Sequence, residues 1–179
     1  WVVDNADVVS QLDLTKADNQ GFVMPAGTDV TITATYKKQR TVTVIGGTVN
    51  STDSVTALRE ETVEIKAEYD PYEKKFDHWE VKGPKGWDLE DDQKTNPEFT
   101  LTVPKGNVTL TAVYNDYHNI TVEGGYATPD RAIAGTQITL TPDLPDDQEF
   151  DYWYSTDINL REDQRGNPNL TFKMRDFDI

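Results

Sequence analysis

Two histidines, His78 and His118, and no cysteine make up the whole supply of imidazole and thiolate groups in this chain of 179 residues. A zinc site needs several such ligands at set spacing, so this supply is too small for one. His78 lies between Asp77 and Trp79, and Tyr152 takes its place where that strand returns, so it is expected to be a surface strand residue. Carboxylates are the abundant reactive group. Asp88, Glu90, Asp91 and Asp92 form one cluster and Asp143, Asp146 and Asp147 another. Hard oxygen ligands of this kind make calcium the one cofactor that the acidic loops admit. Neither cluster has the Asp-x-Asp-x-Asp-Gly spacing of a calcium loop, so solvated loops are expected. Ser10, Ser51, Ser54 and Ser155 sit in no Gly-x-Ser-x-Gly elbow, and no strand leads into a phosphate-binding glycine loop with a following Lys-Ser or Lys-Thr. No catalytic, cofactor-binding or metal-ligating residue is therefore assigned, and the chain is not expected to be an enzyme.

Aromatic residues are the other candidates for recognition. Trp79 and Trp153 stand in the same local sequence, each three residues after a Phe, and are expected to be core anchors rather than sugar-stacking platforms. Trp87 lacks a counterpart and adjoins the first acidic cluster, which makes it the better candidate for a ligand surface, although packing is its expected role. Asn50, Asn107, Asn119 and Asn169 begin Asn-x-Ser/Thr triplets, but threonine-rich alternation generates these by chance and glycosylation is not inferred.

The elements that must carry these residues announce themselves by repetition. Val30-Thr31-Ile32-Thr33-Ala34-Thr35-Tyr36 returns 78 residues on as Val108-Thr109-Leu110-Thr111-Ala112-Val113-Tyr114. Val42-Thr43-Val44-Ile45-Gly46-Gly47 returns at the same interval as Ile120 to Gly125. Phe76-Asp77-His78-Trp79 returns 74 residues on as Phe150-Asp151-Tyr152-Trp153, and Trp1 lies 78 residues before Trp79. Runs such as Phe22 to Gly27, Phe99 to Gly106 and Leu170 to Arg175 precede the alternating strand. These landmarks divide the chain into residues 1–38, the C-terminal part of a first repeat, residues 39–116, a complete second repeat, and residues 117–179, a third repeat lacking its last strand. Lys37 to Arg40 and Asn115 to His118 are the only polar joints.

Apolar and polar residues alternate in Val63 to Tyr69, Val108 to Tyr114 and Ile138 to Thr141. This is the period of half-buried, antiparallel-type strands. Gly46-Gly47 and Gly124-Gly125 read as strand-closing turns that admit positive φ, and Pro25 to Gly27 and Pro104 to Gly106 as tight turns. The fold is expected to be mainly β, built of tandem small antiparallel β-sheet repeats, β-grasp-like or β-sandwich-like, with about five strands in a whole unit and little or no helix.

The succession of a Gly-Gly-ended strand, an alternating strand, Phe-Asp-His-Trp or Phe-Asp-Tyr-Trp, and a Pro-x-Gly turn into Val-Thr-Leu-Thr-Ala-Val-Tyr resembles the divergent internalin-type B-repeats of bacterial surface proteins. The resemblance covers almost the whole chain. It implies a small β-grasp-like repeat on a secreted or wall-anchored protein, chiefly of Gram-positive bacteria, serving as a stalk or adhesive module without catalytic residues. Two departures stand out. Arg59-Glu60-Glu61 replaces the Ala-Gly-Thr kept at Ala134-Gly135-Thr136, and residues 87–92 read as an acidic insertion.

Charge supports an exterior setting without nucleic acid. The 17 basic residues face 32 acidic ones, a net charge of −15 that repels phosphate backbones and anionic lipid. No apolar run is long enough to enter a membrane, and Trp1-Val2-Val3-Asp4 lacks the features of a signal peptide, so an export signal or anchor is expected outside the segment. The expected role is a non-catalytic stalk or adhesive segment at the cell surface or cell wall. Its partners would be neighbouring repeats and a host protein or glycan, and the rival readings are a dedicated carbohydrate- or host-protein-binding module or an accessory domain of a secreted enzyme. The third repeat is also expected to present an unpaired sheet edge able to accept a strand from another chain.

Overall fold

The computed structural model describes residues 2–13 and 21–179, so the proposed equivalence of Trp1 with Trp79 lies outside the described residues. The chain forms two compact units, 1–39 and 40–179. In the first, β1 (Val2–Val3) pairs antiparallel with β2 (Ile32–Thr33), and between them α1 (Ala6–Val9) is capped by the Asn5 side chain, which accepts from the amides of Asp7 and Val8. The alternating strand expected over 30–36 is thus cut to two residues, both exposed. A strand needs a partner for its backbone, and among the described residues β1 supplies only two positions.

The second unit carries the architecture. Its first repeat runs β3 (Gln39–Ile45), β4 (Gly47–Val49), β5 (Ser54–Leu58), β6 (Thr62–Ala67), β7 (Lys74–Lys82), α2 (Asp91–Thr95), β8 (Glu98–Thr102) and β9 (Val108–Asn119). The following repeat adds β10 (Gly125–Thr128), β11 (Arg131–Ile133), β12 (Gln137–Pro142), α3 (Glu162–Arg165) and β13 (Thr171–Lys173). The protein is mainly β, as expected, and among the described residues the helices have no more than five residues.

The 39–119 repeat has seven strands rather than five, because the Gly-Gly step does more than close a strand. Gly46 adopts φ +72°, which ends β3 and turns the chain out of its sheet. Gly47 then opens β4 in a second sheet, opposite Ala67 of β6. A Cβ on Gly47 would stand 2.3 Å from the Lys66 carbonyl oxygen, and one on Gly125 would stand 2.5 Å from that of Thr141. The two glycines of each pair therefore serve different needs, one a left-handed turn and the other a close backbone approach.

Two sheets result. β7, β9, β3 and β5 form one, which β11 of the following repeat joins as a fifth strand, and β4, β6 and β8 form the other. Alternation gives β6 the burial pattern of Val63, Ile65 and Ala67 inward with polar residues outward. These residues share a core with Val42 and Val44 of β3, Trp79 of β7, Leu101 of β8 and Leu110 of β9. A smaller core around Ile138, Trp153, Leu160 and Leu170 serves the following repeat.

One pairing departs from the antiparallel expectation. β3 and β9, the first and last strands of the repeat, lie parallel, with Val42 opposite Val108 and Val44 opposite Leu110. Alternation cannot distinguish the two arrangements, because β9 also pairs antiparallel with β7 along its other edge. A second departure concerns the joint expected at Asn115 to His118. These residues belong to β9, which continues through them and pairs Tyr117, His118 and Asn119 with Ile133, Ala132 and Arg131 of β11.

The Phe-Asp-x-Trp element also needs a local device. Residues three apart on a regular strand face opposite sides of the sheet. A bulge between Phe76 and His78 adds the missing residue, so Phe76 and Trp79 both turn inward, their ring centroids 5.4 Å apart. Phe150 and Trp153 keep the same relation at 5.2 Å but lie in no strand, contrary to expectation, because no described strand flanks them as β9 flanks β7.

The Ala-Gly-Thr departure is absorbed by the backbone. Glu60 takes φ +73° where Gly135 takes φ +84°. Glu60 N–H donates to Val103 O at 3.0 Å, as Gly135 N–H donates to Met174 O at 2.8 Å. A non-glycine residue held left-handed costs about 1 kcal/mol. Glu60→Gly should therefore raise stability by up to about 1 kcal/mol, whereas Gly47→Ala, which drives a Cβ into backbone, should lower it by about 2–3 kcal/mol. Urea unfolding followed by tryptophan fluorescence reads both.

Candidate functional site

The residues singled out for chemistry converge on structural tasks. The Trp79 indole N–H donates to the Asn96 carbonyl at 3.0 Å, and the Trp153 indole N–H donates to the Asn167 carbonyl at 3.1 Å. In both places the asparagine precedes a proline, and its side-chain oxygen accepts the amide two residues on, from Glu98 at 3.0 Å and from Asn169 at 3.0 Å. Each buried tryptophan is thus tied to an Asn-Pro corner that delivers the chain into β8 or β13.

The acidic residues Glu90, Asp91 and Asp92 belong to the same device, and the extra residues of this repeat, three by the fall of the offset from 74 at the tryptophans to 71 at the leucines, lie before Leu89. Leu89-Glu90-Asp91-Asp92-Gln93 reappears 71 residues on as Leu160-Arg161-Glu162-Asp163-Gln164. Leu89 and Leu160 are both buried. Gln93 Oε1 accepts from the Glu90 amide at 3.2 Å, and Gln164 Oε1 from the Arg161 amide at 3.0 Å, closing the first turns of α2 and α3 alike. The leucine, the acidic pair and the glutamine of that stretch are therefore common to both repeats, while Trp87 is not. The signal that would have found them is the buried Leu, capping Gln and Asn-Pro spacing, not the acidity.

The acidic clusters do not converge. Asp88 accepts from Lys94 Nζ at 2.6 Å and from the Leu89 amide at 2.9 Å, and this lysine holds its carboxyl below the ordinary carboxylate range. Asp91 faces the same lysine at 3.8 Å, while Asp143, Asp146 and Asp147 lie exposed around a turn. Among the described residues, no group of three histidine or acidic side chains is placed to hold a metal ion.

The remaining candidates sit apart. His78 lies on the surface of β7 with Nδ1 2.8 Å from Asp77. Asp77 also accepts from Asn115 Nδ2 at 3.1 Å, and its carboxyl is held low, chiefly by His78. This carboxylate secures the bulge to β9. Ser10 donates to a carbonyl in its own helix, Ser54 lies 3.3 Å from Thr43 across the sheet, and Ser155 accepts the amides of Asp157 and Ile158. Ser51 occupies a turn with φ 63°. Trp87 is half-buried against the core and lies over Gly83, where a Cβ would meet its ring at 2.6 Å. Asn50 and Asn107 spend their side-chain oxygens on the amides of Glu64 and Thr41.

His118 and Asn119 mark a feature that the sequence reading treated as a mere joint. At this end of β9, the His118 ring approaches Asp176 at 3.2 Å and Asp178 at 3.7 Å, and Asp178 accepts the Asn119 amide at 2.8 Å. Arg131 of β11 lies 4.9 Å over the Tyr117 ring, while the Tyr117 amide donates back to Glu73 at 2.9 Å. Side chains and backbone from two successive repeats are therefore fastened to one strand within five residues.

Residues 40–118 match the family described as the divergent InlB B-repeat domain. The match spans the repeat that begins in β3 and ends in β9. No curated protein and no solved structure matches the chain. Among the described residues, no helix is long and apolar enough to cross a membrane.

The Trp–Asn-Pro tie gives a direct test. Trp79→Phe and Trp153→Phe keep an aromatic ring but leave a part-buried carbonyl without its donor, a loss of about 1–3 kcal/mol each. Equal penalties in chemical denaturation would identify the two ties as one device.

Proposed function

We propose, from the membership of residues 40–118 in the divergent InlB B-repeat family, that the chain is a non-catalytic segment of a bacterial surface protein whose repeats act as a spacer. The observation that carries this reading is the continuity of β9. Its 12 residues pair with β3 and β7 in one repeat and with β11 in the next, so the repeats share a strand instead of a linker. At about 3.3 Å per residue, such a strand runs for about 40 Å. A hinge there would break ladder bonds and the contacts of Tyr117 and His118, whereas a flexible polar linker would bend at no such cost.

The direction of the chain favours the same role. β3 and β9 are parallel, so the polypeptide enters the following repeat heading as it entered the one before. Successive units of this kind propagate by nearest-neighbour contact, which suits projection of a domain away from a wall. The acidity, 32 Asp and Glu against 17 Lys and Arg, keeps such a stalk soluble and unattracted to anionic polymers.

Inserting Gly-Gly-Ser-Gly between Asp116 and Tyr117 tests the spacer reading. Small-angle scattering of the inserted chain should show a broadened distribution of maximum dimension, with the tryptophan fluorescence of both cores retained. An unchanged scattering profile would contradict a joint stiffened by the shared strand. Specific glycan or host-protein binding abolished by Trp87→Ala would replace the spacer with a dedicated binding module.

A further inference from the structure

The two repeats share the buried leucine, the capping glutamine and the Asn-Pro corner, yet the space beside these fittings is filled in one and open in the other. In the following repeat, residues 158–160, Gln164 and the end of β13 bound a groove of about 310 Å³. Ile158, Leu160 and Phe172 give it an apolar wall, and Asn159, Gln164, Lys173 and Arg175 a polar rim. Each of these residues has an equivalent 71 positions earlier, so the groove reflects a difference in side chains. Ile158 stands where Trp87 stands. Each is two residues before its buried leucine and packs against the core of its own repeat. Each also closes a short turn, the Trp87 amide donating to Pro84 O at 3.0 Å and the Ile158 amide to Ser155 Oγ at 3.2 Å. Exchanging an indole for an isoleucine side chain vacates most of a ring system, and apolar walls left without neighbours forfeit their contacts.

The exchanges around this space all shift charge in one direction. Asn159 takes the place of Asp88, Lys173 that of Thr102 and Arg175 that of Pro104. One carboxylate is lost and two cations are gained, in a chain of net charge −15. Lys94 of the other repeat is paired with Asp88 at 2.6 Å. Among the described residues, neither the Lys173 nor the Arg175 side chain has a hydrogen-bond or ion-pair partner, although 32 acidic residues face 17 basic ones. The glutamine differs as well. Gln93 Nε2 donates to Thr100 O at 3.2 Å, whereas Gln164 places its oxygen on the Arg161 amide at 3.0 Å and its Nε2 has no partner among the described residues. Unspent N–H donors therefore surround an apolar wall, and no described carboxylate lines the groove.

We propose that this groove binds the C-terminus of a peptide ending in an apolar residue. The terminal carboxylate lies between Lys173 and Arg175, where the planar guanidinium can engage both of its oxygens. Gln164 Nε2 donates to the last peptide carbonyl, and the terminal side chain rests on Ile158, Leu160 and Phe172 in the space that Trp87 fills in the other repeat. Ligand sites span ~300–1,000 Å³, so a groove at the lower bound suits one chain end and not a long polymer.

Nuclear magnetic resonance of the isotopically labelled 179-residue chain, titrated with acetyl-Gly-Gly-Leu, tests this. The free acid should shift the Gln164 side-chain amide and the backbone amides of Leu160 and Lys173 saturably, and the same peptide with a C-terminal amide should bind about tenfold or more weakly. Lys173→Thr restores the exposed residue of the other repeat and should lower affinity for the free acid by a similar factor. Ile158→Trp should refill the groove and abolish binding, with the Trp153 indole N–H signal retained as the sign of an intact core. Equal binding of acid and amide, no shift with the acid at millimolar concentration, or an affinity unmoved by Lys173→Thr would overturn the proposal. The comparison of acid with amide needs no variant to fold. Octanoate that shifts these amides where the peptide does not would assign the groove to free acids and overturn it too.

Discussion

The constraint on which the structure depends is the parallel pairing of the first and last strands of a repeat, Val42 beside Val108 through Ile45 beside Thr111. Parallel neighbours cannot be joined by a hairpin, so the chain between them must cross over through other elements. Gly46 and Gly47 begin that path by turning the chain into the second sheet, and it then passes back and forth, β5 and β7 in the first sheet and β6 and β8 in the second, before β9 returns beside β3. The inward faces of β6 and β8 then have only one surface to cover, that of β3, β7 and β9, which is why a single core forms around Trp79 and Ile65. The same constraint sets the direction of exit, and β9 becomes the opening strand of the following repeat without a turn.

Local fittings make this arrangement specific. A bulge is required for Phe76 and Trp79 to face the core together, and Asp77 ties that bulge to Asn115 on β9. The indole then holds the Asn96 carbonyl, which fixes where β8 starts. Closing bond and corner bond thus meet on one strand, and the recurrence of the corner at Trp153 and Asn167 shows that it belongs to the repeat and not to one copy.

The repeat period, the mainly β character and the burial of Trp79 and Trp153 were legible in the sequence because each depends on residue type at fixed spacing. The parallel pairing was not, since an alternating strand such as Val108 to Tyr114 has the same pattern whichever way its neighbour runs. The joint at Asn115 to His118 was misread because polar residues on a strand at the boundary between cores resemble a linker. Acidity similarly disguised 87–96, where the working residues are Leu89, Gln93 and Asn96. The strand expected at 30–36 shows the limit of local pattern, for alternation supplies a strand's faces but not its partner.

The shared strand is the centre of this account, and native-state hydrogen exchange across β9 measures it most directly. The amides of Tyr117 and His118 should exchange slowly, with protection approaching that of Leu110 and Ala112 in the core of the same strand. Free exchange at 115–119 beside protected amides at 108–114 would mean that the repeats are joined by a linker, and would contradict the account.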